Sequence, residues 1–379
     1  MLNFKIVLRF FVLVSLSCCS LPLQALSPYA HKVLEYRPAP GQFINEAYPA
    51  YQAGETYEDM LKKASSVLVG RKESGIVCLG SWGGYIVLGF DHAVQNKADT
   101  VDFKVYGNAH NNSAEPGIVS VSKDVNANGL ADDPWYELAG SAFHTDSTIT
   151  EYLCTYYRPS PADADVLWRD NAGDSGYIRR NNAYHSQASY YPLWVEQDSL
   201  TFGGSRLLSK ASGEGSSWIS TPYAWGYADN WPNNHPGADF DIDWAVDGQG
   251  QALYLDEIHF VRIQTAVQEQ LGWLGEVSTE ISGIEDLHTL IPNLGTDQLE
   301  IQYLSAVRQL YVQAPPGSRL EVYNLKGIRV FSQEIESGIV LNNGIEELVL
   351  VDYFLDFLPQ NVYLVRLSGS WGSLSSKIL

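Results

Sequence analysis

The chain is poor in cysteine, methionine and positive charge. Its 379 residues hold four Cys and two Met, and 24 Lys and Arg stand against 44 Asp and Glu. So acidic a chain repels phosphate backbones, so nucleic acid is set aside as a partner. Histidine is scattered: His92, His110, His144, His185, His235, His259 and His288 form no zinc-like spacing. No Gly-x-Ser-x-Gly elbow supports a serine nucleophile. Long amphipathic helical stretches are nearly absent. Beyond the N-terminus no run is apolar enough to cross a bilayer.

What is present begins with a leader. Lys5 and Arg9 precede the apolar run Phe10 to Leu16, and Leu23-Gln-Ala25 offers a small-residue cleavage site. Residues 1–25 therefore read as a secretory signal peptide. An uncleaved anchor, or a lipoprotein signal built on Cys18 and Cys19, are the alternatives. Cleavage leaves 22 basic residues against 44 acidic ones, and only Cys78 and Cys154. These two form one disulfide or stay as buried thiols that act as small hydrophobes.

The body reads as β structure. Val101 to Tyr106, Val119 to Ser122 and Ile258 to Ile263 alternate apolar with polar, as half-buried strands do. Gly84 to Phe90 reads as a more buried strand. Polar, glycine-containing turns separate these runs. The pattern predicts a mainly β fold: an antiparallel jelly-roll or β-sandwich body with long loops over 26–297, then a small Ig-like β-sandwich over 298–379. One helix is expected at 56–66, with Thr56 as cap and Leu61 and Ala64 on one face.

Two acidic motifs invite a cation. Asp124-Val-Asn-Ala-Asn-Gly-Leu-Ala-Asp-Asp133 places side-chain oxygens of Asp124, Asn126, Asn128 and Asp132 at positions 1, 3, 5 and 9 of a loop. Gly129 stands at position 6 and Leu130 offers a carbonyl at 7. That matches the ligand order of an EF-hand loop, except that position 12 is Trp135. Asp133 or Glu137 would have to fill in. The reading is a structural Ca²⁺ loop without EF-hand helices; a plain Asx-rich hairpin loop is the alternative. Asp239-Phe-Asp-Ile-Asp243 sets three carboxylates at strand spacing. Those charges repel, so they hold a cation or face solvent.

Residues 160–236 read as irregular, rich in Asn, Asp, Ser and Gly, with aromatics interleaved. Trp194, Trp218, Tyr223, Trp225, Tyr227 and Trp231 are the candidate ligand-binding residues, because exposed rings among polar groups stack on sugars or other flat ligands. The alternative is that the rings fill small cores beneath the loops.

Three motif groups carry a resemblance. Tyr36-Arg-Pro-Ala-Pro-Gly-Gln-Phe-Ile-Asn45, Gly80-Ser-Trp-Gly-Gly-Tyr-Ile-Val-Leu-Gly-Phe-Asp91 and Gly272-Trp-Leu-Gly-Glu-Val-Ser-Thr-Glu280, with shorter matches between, resemble Bacteroidetes cell surface proteins over 33–290. The resemblance implies a surface-exposed, β-rich protein; some such proteins resemble accessories of outer-membrane nutrient receptors, including those for cobalamin. It assigns no catalytic residues. From Gln298 onward, Leu320 to Gly327, Leu358 to Arg366 and the terminal Lys377-Ile-Leu379 resemble the C-terminal sorting domain of type IX secretion. Gln360-Asn361 and the insert Asn342 to Asp356 depart from that pattern.

The expected function is a secreted, surface-exposed, calcium-stabilised ligand-binding protein. Its partners would be a glycan or a small nutrient such as a corrinoid, the type IX machinery and an outer-membrane nutrient receptor. A glycan-degrading hydrolase or lyase is the alternative, with Tyr157-Arg158 and Arg179-Arg180 as candidates. A structural surface-layer component is the third reading.

Overall fold

The computed structural model describes residues 27–215, 217–288, 300–304, 309–314, 317–335, 339–342, 347–354, 363–369 and 372–378. The leader, the 297/298 boundary and Gln360-Asn361 lie outside the described residues. The chain is mainly β and its sheets are antiparallel, of sandwich type.

Ten strands build the two principal sheets: β1 Lys32–Arg37, β2 Tyr85–Gln95, β3 Gly117–Ser122, β4 Trp135–Leu138, β5 Thr148–Tyr157, β6 Val166–Asp170, β7 Ser175–Ile178, β8 Ser199–Leu207, β9 Ala245–Val246 and β10 Glu257–Thr265. The first sheet runs β1-β2-β10-β3-β4-β9 and the second runs β8-β5-β6-β7. Alternation fixes which face of the first sheet is buried in the main core. Tyr36, Ile86, Leu88, Phe90, Val119, Val121, Val261 and Ile263 all point into that core. One helix, α1 Tyr57–Leu68, lies against it. Thr56 caps α1 through a reciprocal box with Asp59, and Met60, Ala64 and Leu68 recur every four residues on its buried face. The helix thus runs two residues beyond the expected end. Leu61, expected on the buried face with Ala64, sits at the edge of the core.

Two expectations need correction. Val119 to Ser122 is buried on both faces, not half-buried, because neighbouring segments cover Ser120 and Ser122. The stretch 160–236 is not irregular: it holds β6, β7, β8 and a hairpin of Ala211–Glu214 with Ser217–Ser220. Gly203-Gly204 and short strand lengths disguise these elements as loop. The second sheet has its own core of Trp82, Tyr152, Cys154, Tyr156, Tyr190, Tyr191 and Phe202. Cys78 and Cys154 are both buried free thiols in separate cores, so they do not pair. The motif Gly80-Ser-Trp-Gly-Gly84 makes the joint between sheets. A Cβ at Gly84 would stand 1.9 Å from the Leu79 carbonyl oxygen, so only glycine passes there.

Beyond residue 299, two four-stranded antiparallel sheets are described. One orders Glu300–Leu304, Gln309–Ala314, Glu347–Phe354 and Ile339–Asn342. The other orders Arg329–Glu334, Arg319–Asn324, Tyr363–Gly369 and Gly372–Ile378. The stretch read as an insert, Asn342 to Asp356, supplies an interior strand of the first of these sheets.

Candidate functional site

The second face of the β1-to-β9 sheet is polar. Because side chains alternate, β10 presents Phe260, Arg262 and Gln264 there while Val261 and Ile263 enter the core. Register then lines up residues distant in sequence. Glu35 stands opposite Val87, Val87 opposite Arg262, Arg262 opposite Ser120, and Ser120 opposite Glu137. A parallel row runs Lys32, Gly89, Phe260, Ser122 and Trp135. A third runs Arg37, Tyr85 and Gln264.

Short polar contacts hold this face. The Tyr85 hydroxyl donates to Glu35 at 2.7 Å, and Arg37 pairs with the same Glu35 at 3.6 Å. The Ser205 hydroxyl, from β8, donates to Glu137 at 2.6 Å. Burial pushes the Glu137 carboxyl up from 4.5 to about 7, although the Ser205 hydrogen bond and the Arg262 charge oppose the rise. Burial likewise raises the Tyr85 hydroxyl, helped by Glu35. The folded protein therefore holds the Glu137 proton more tightly than the unfolded chain does. That contribution to stability is fully present below about pH 4.5 and is lost as pH rises through about 7. Glu137→Gln is expected to flatten the fall in the urea midpoint between those pH values. Parallel profiles for the variant and the parent would remove Glu137 as the cause.

At the Arg37 and Tyr85 end of the face lies a cavity of about 610 Å³. Tyr36, Tyr57, Tyr85, Trp194, Leu200 and Phe202 give it apolar walls, and Arg37, Glu55, Glu58, Glu196 and Gln197 give it polar positions. The N-terminus of α1 forms one side; residues 193–197 and β8 form the other. Trp194 is fixed by Tyr36, stacked at 6.2 Å, and by Tyr51 at 6.0 Å. Size and lining match a small-molecule site.

The Asp124 loop joins β3 to β4, at the Trp135 end of the polar face. It winds about Asp124, whose oxygens accept from the amides of Asn128 at 3.1 Å and Gly129 at 2.8 Å. The Asn128 side-chain oxygen accepts from Leu130 at 2.7 Å, and Asp133 accepts from Val125 at 3.0 Å. Asn126 accepts from Asn128 at 3.0 Å, and the Asn128 amide donates to Asp132 at 3.2 Å. Gly129 has φ of +74°, the left-handed turn a ligand loop needs at position 6. Lys32 Nζ donates to the Gly129 carbonyl, tying the loop to β1. Carboxylate and amide oxygens that each accept one or two N–H groups keep lone pairs for a hard cation, so the donor chemistry fits Ca²⁺. Glu137 is held at Ser205, which leaves Asp133 as the residue that would close such a site. The loop's carboxylates do not converge as tightly as another trio, Glu115, Asp229 and Glu280, whose oxygens lie within 4.8 Å of one another.

That trio is a largely buried carboxylate cluster, with Glu115 at its partly exposed edge. Asp229 accepts from the amides of Asn108 at 2.7 Å, Ala109 at 2.8 Å and Glu280 at 2.9 Å. Burial raises all three carboxyls, with mutual repulsion raising Glu115 and Asp229 further. It clamps the segments around residues 108, 115, 229 and 280 together.

The six candidate aromatics scatter. Trp194 lines the cavity. Tyr223 and Tyr227 are core residues, 6% and 1% exposed, the latter accepting from Ala142 at 3.2 Å. Trp218 packs on Gly272 and donates to Gly215 at 3.1 Å. Trp231 stacks on His235 at 4.0 Å, and Trp225, 40% exposed, leans on Trp244 at 4.6 Å. They form no single platform. Asp239, Asp241 and Asp243 also separate: Asp239 pairs with Lys104 at 3.0 Å, Asp241 caps the Asp243 amide at 2.8 Å, and Asp243 accepts from Asn96 at 2.7 Å. Arg158 is spent on Gln197 at 3.0 Å and Asp198 at 3.4 Å, Arg179 on Asp165 at 2.9 Å and Arg180 on Asn182 at 3.1 Å. Tyr157 lies at the exposed end of β5.

Glu35, Tyr85 and Arg262 were missed by sequence reasoning, and Glu137 was singled out only as a residue to complete the Asp124 loop. The one available signal was an arginine on the face of Ile258 to Ile263 opposite the apolar one. No protein-family model matches the chain, and no curated protein matches it. The family resemblance thus rests on its motifs alone.

Proposed function

We propose that the chain is a secreted, surface-exposed ligand-binding protein that holds a glycan or small nutrient, with a structural Ca²⁺ in the Asp124 loop. The observation that carries the reading is the 610 Å³ cavity, where aromatic walls and a few polar groups meet beside a polar sheet face. Its size suits a short glycan better than a complete corrinoid. Residues 1–25 would be removed as a signal peptide. Residues 26–297 would be the jelly-roll-like binding domain. Residues 298–379 would be an Ig-like sorting domain read by the type IX machinery, which would bring the protein to the outer face of the outer membrane, beside a nutrient receptor.

The test is a thermal-shift and calorimetric series on the protein in Ca²⁺, with neutral and acidic disaccharides and cyanocobalamin. A ligand of the native state raises the midpoint by mass action. Trp194→Ala is expected to weaken the binding ligand roughly tenfold, the loss of about 1.5 kcal/mol of ring contact, while the Ca²⁺ response persists. If no panel member shifts the midpoint, the binding reading falls. A second reading, a glycan hydrolase or lyase, is supported by Glu137, whose carboxyl is pushed up by burial to about 7, into the acid–base working range, within reach of the Arg262 charge. Consumption of a panel member, lost in Glu137→Gln, would establish that reading instead.

A further inference from the structure

Arg262 differs from the other arginines discussed above. Arg158, Arg179 and Arg180 are each spent on carboxylates or carbonyls of the fold. Arg262 makes no hydrogen bond or ion pair to any described residue, and its Nε is buried without a partner. Two rings flank it: its guanidinium carbon lies 5.0 Å from the Trp135 ring centre and 6.0 Å from that of Tyr85. The neighbouring acids are engaged elsewhere. Glu35 takes the Tyr85 hydroxyl and Arg37, and Glu137 takes the Ser205 hydroxyl. The side chain stays partly exposed at the centre of the polar face, as do Trp135 and Tyr85 on either side. Leaving a guanidinium unpaired costs free energy that a folded protein normally avoids. A chain with a net charge of −20 has carboxylates to spare, yet Glu35 and Glu137, which act on this cation through space, make no direct hydrogen bond or ion pair with it.

We infer that Arg262 is the receptor for a ligand carboxylate, and that the polar face takes a sugar acid whose ring lies against Trp135 or Tyr85. A guanidinium matches a planar carboxylate in two parallel hydrogen bonds. The flanking rings suit the apolar face of a sugar. Two acidic residues in the same row disfavour a doubly charged group at Arg262, so a singly charged carboxylate fits there better than a phosphate. The inference rests on the binding reading above and narrows it: Tyr85 belongs both to this face and to the cavity wall.

The experiment compares digalacturonate, galactobiose and galactose 6-phosphate by calorimetry on the full protein, its Arg262→Gln and Arg262→Lys variants, and Arg169→Gln. Arg169 is an exposed arginine of β6 and serves as the control for loss of one charge. Unliganded midpoints show whether each variant is folded. The expected result is that digalacturonate binds the parent and Arg169→Gln alike, that Arg262→Gln weakens it roughly 10- to 100-fold to the level of galactobiose, and that Arg262→Lys recovers part of the loss. Equal affinity for acidic and neutral sugars, tighter binding of the phosphate, or an unchanged Arg262→Gln overturns the inference while the binding reading stands. If neither disaccharide nor the phosphate binds, the inference fails, and cyanocobalamin in the wider panel decides whether the binding reading fails with it. Should both variants be unfolded without ligand, the parent alone decides: galactobiose, in which both C6 carboxylates of digalacturonate are replaced by alcohols, binding as tightly as digalacturonate overturns the inference.

Discussion

In excess Ca²⁺ the thermal midpoint is expected to stand roughly 6–16 °C above its value in EDTA. Saturation at 100 to 1,000 times Kd stabilises a native state by about 3–4 kcal/mol, and each kcal/mol moves a body of this size by about 2–4 °C. Asp124→Ala should abolish the difference, since Asp124 holds the loop through the amides of Asn128 and Gly129. Asp243→Ala should leave it intact, because the Asp239–Asp243 carboxylates are occupied separately. Identical midpoints in Ca²⁺ and EDTA would make the segment an Asx-rich hairpin loop. A difference that survives Asp124→Ala would move the ion elsewhere.

Trp82→Ala is expected to cost about 3–5 kcal/mol, read as a lower urea midpoint at unchanged slope. The indole is wholly buried, meets Tyr152 edge-on at 4.6 Å and donates to the Ser205 carbonyl at 3.3 Å. Its loss leaves a cavity between the two sheets and an acceptor without its donor. The same residue supports the site indirectly, since Ser205 also holds Glu137. A loss below about 1 kcal/mol would show that the joint between the sheets collapses without penalty.

Local chemistry was legible in the sequence, and long-range geometry was not. Alternation located β3 and β10, an apolar run located β2, and Thr56 as a cap with Leu61 and Ala64 on one face located α1, because these signals are carried by residues close in sequence. The loop at Asp124 was legible for the same reason. Residues 166–207 were misread because Gly203-Gly204 and the Asn- and Ser-rich connections mask strands that tertiary pairing enforces. The aromatic stretch suggested exposed rings that stack on a ligand, yet Tyr223 and Tyr227 turn inward where packing claims them. The polar row of Glu35, Arg262 and Glu137 is set by register across five strands, and one sequence carries no record of which strands pair.

The order of strands in the main sheet has a kinetic consequence. β10, residues 257–265, lies between β2 and β3, residues 85–95 and 117–122, and bonds to both. Until that segment is available, β2 and β3 have an unfilled slot between them and no shared ladder. Closing it joins residues more than 130 apart in sequence, which places this body among slow, high-contact-order folders. A chain emerging residue by residue cannot complete its sheet early. Under the proposed export route, that delay would keep it threadable until the signal peptide has engaged a translocon.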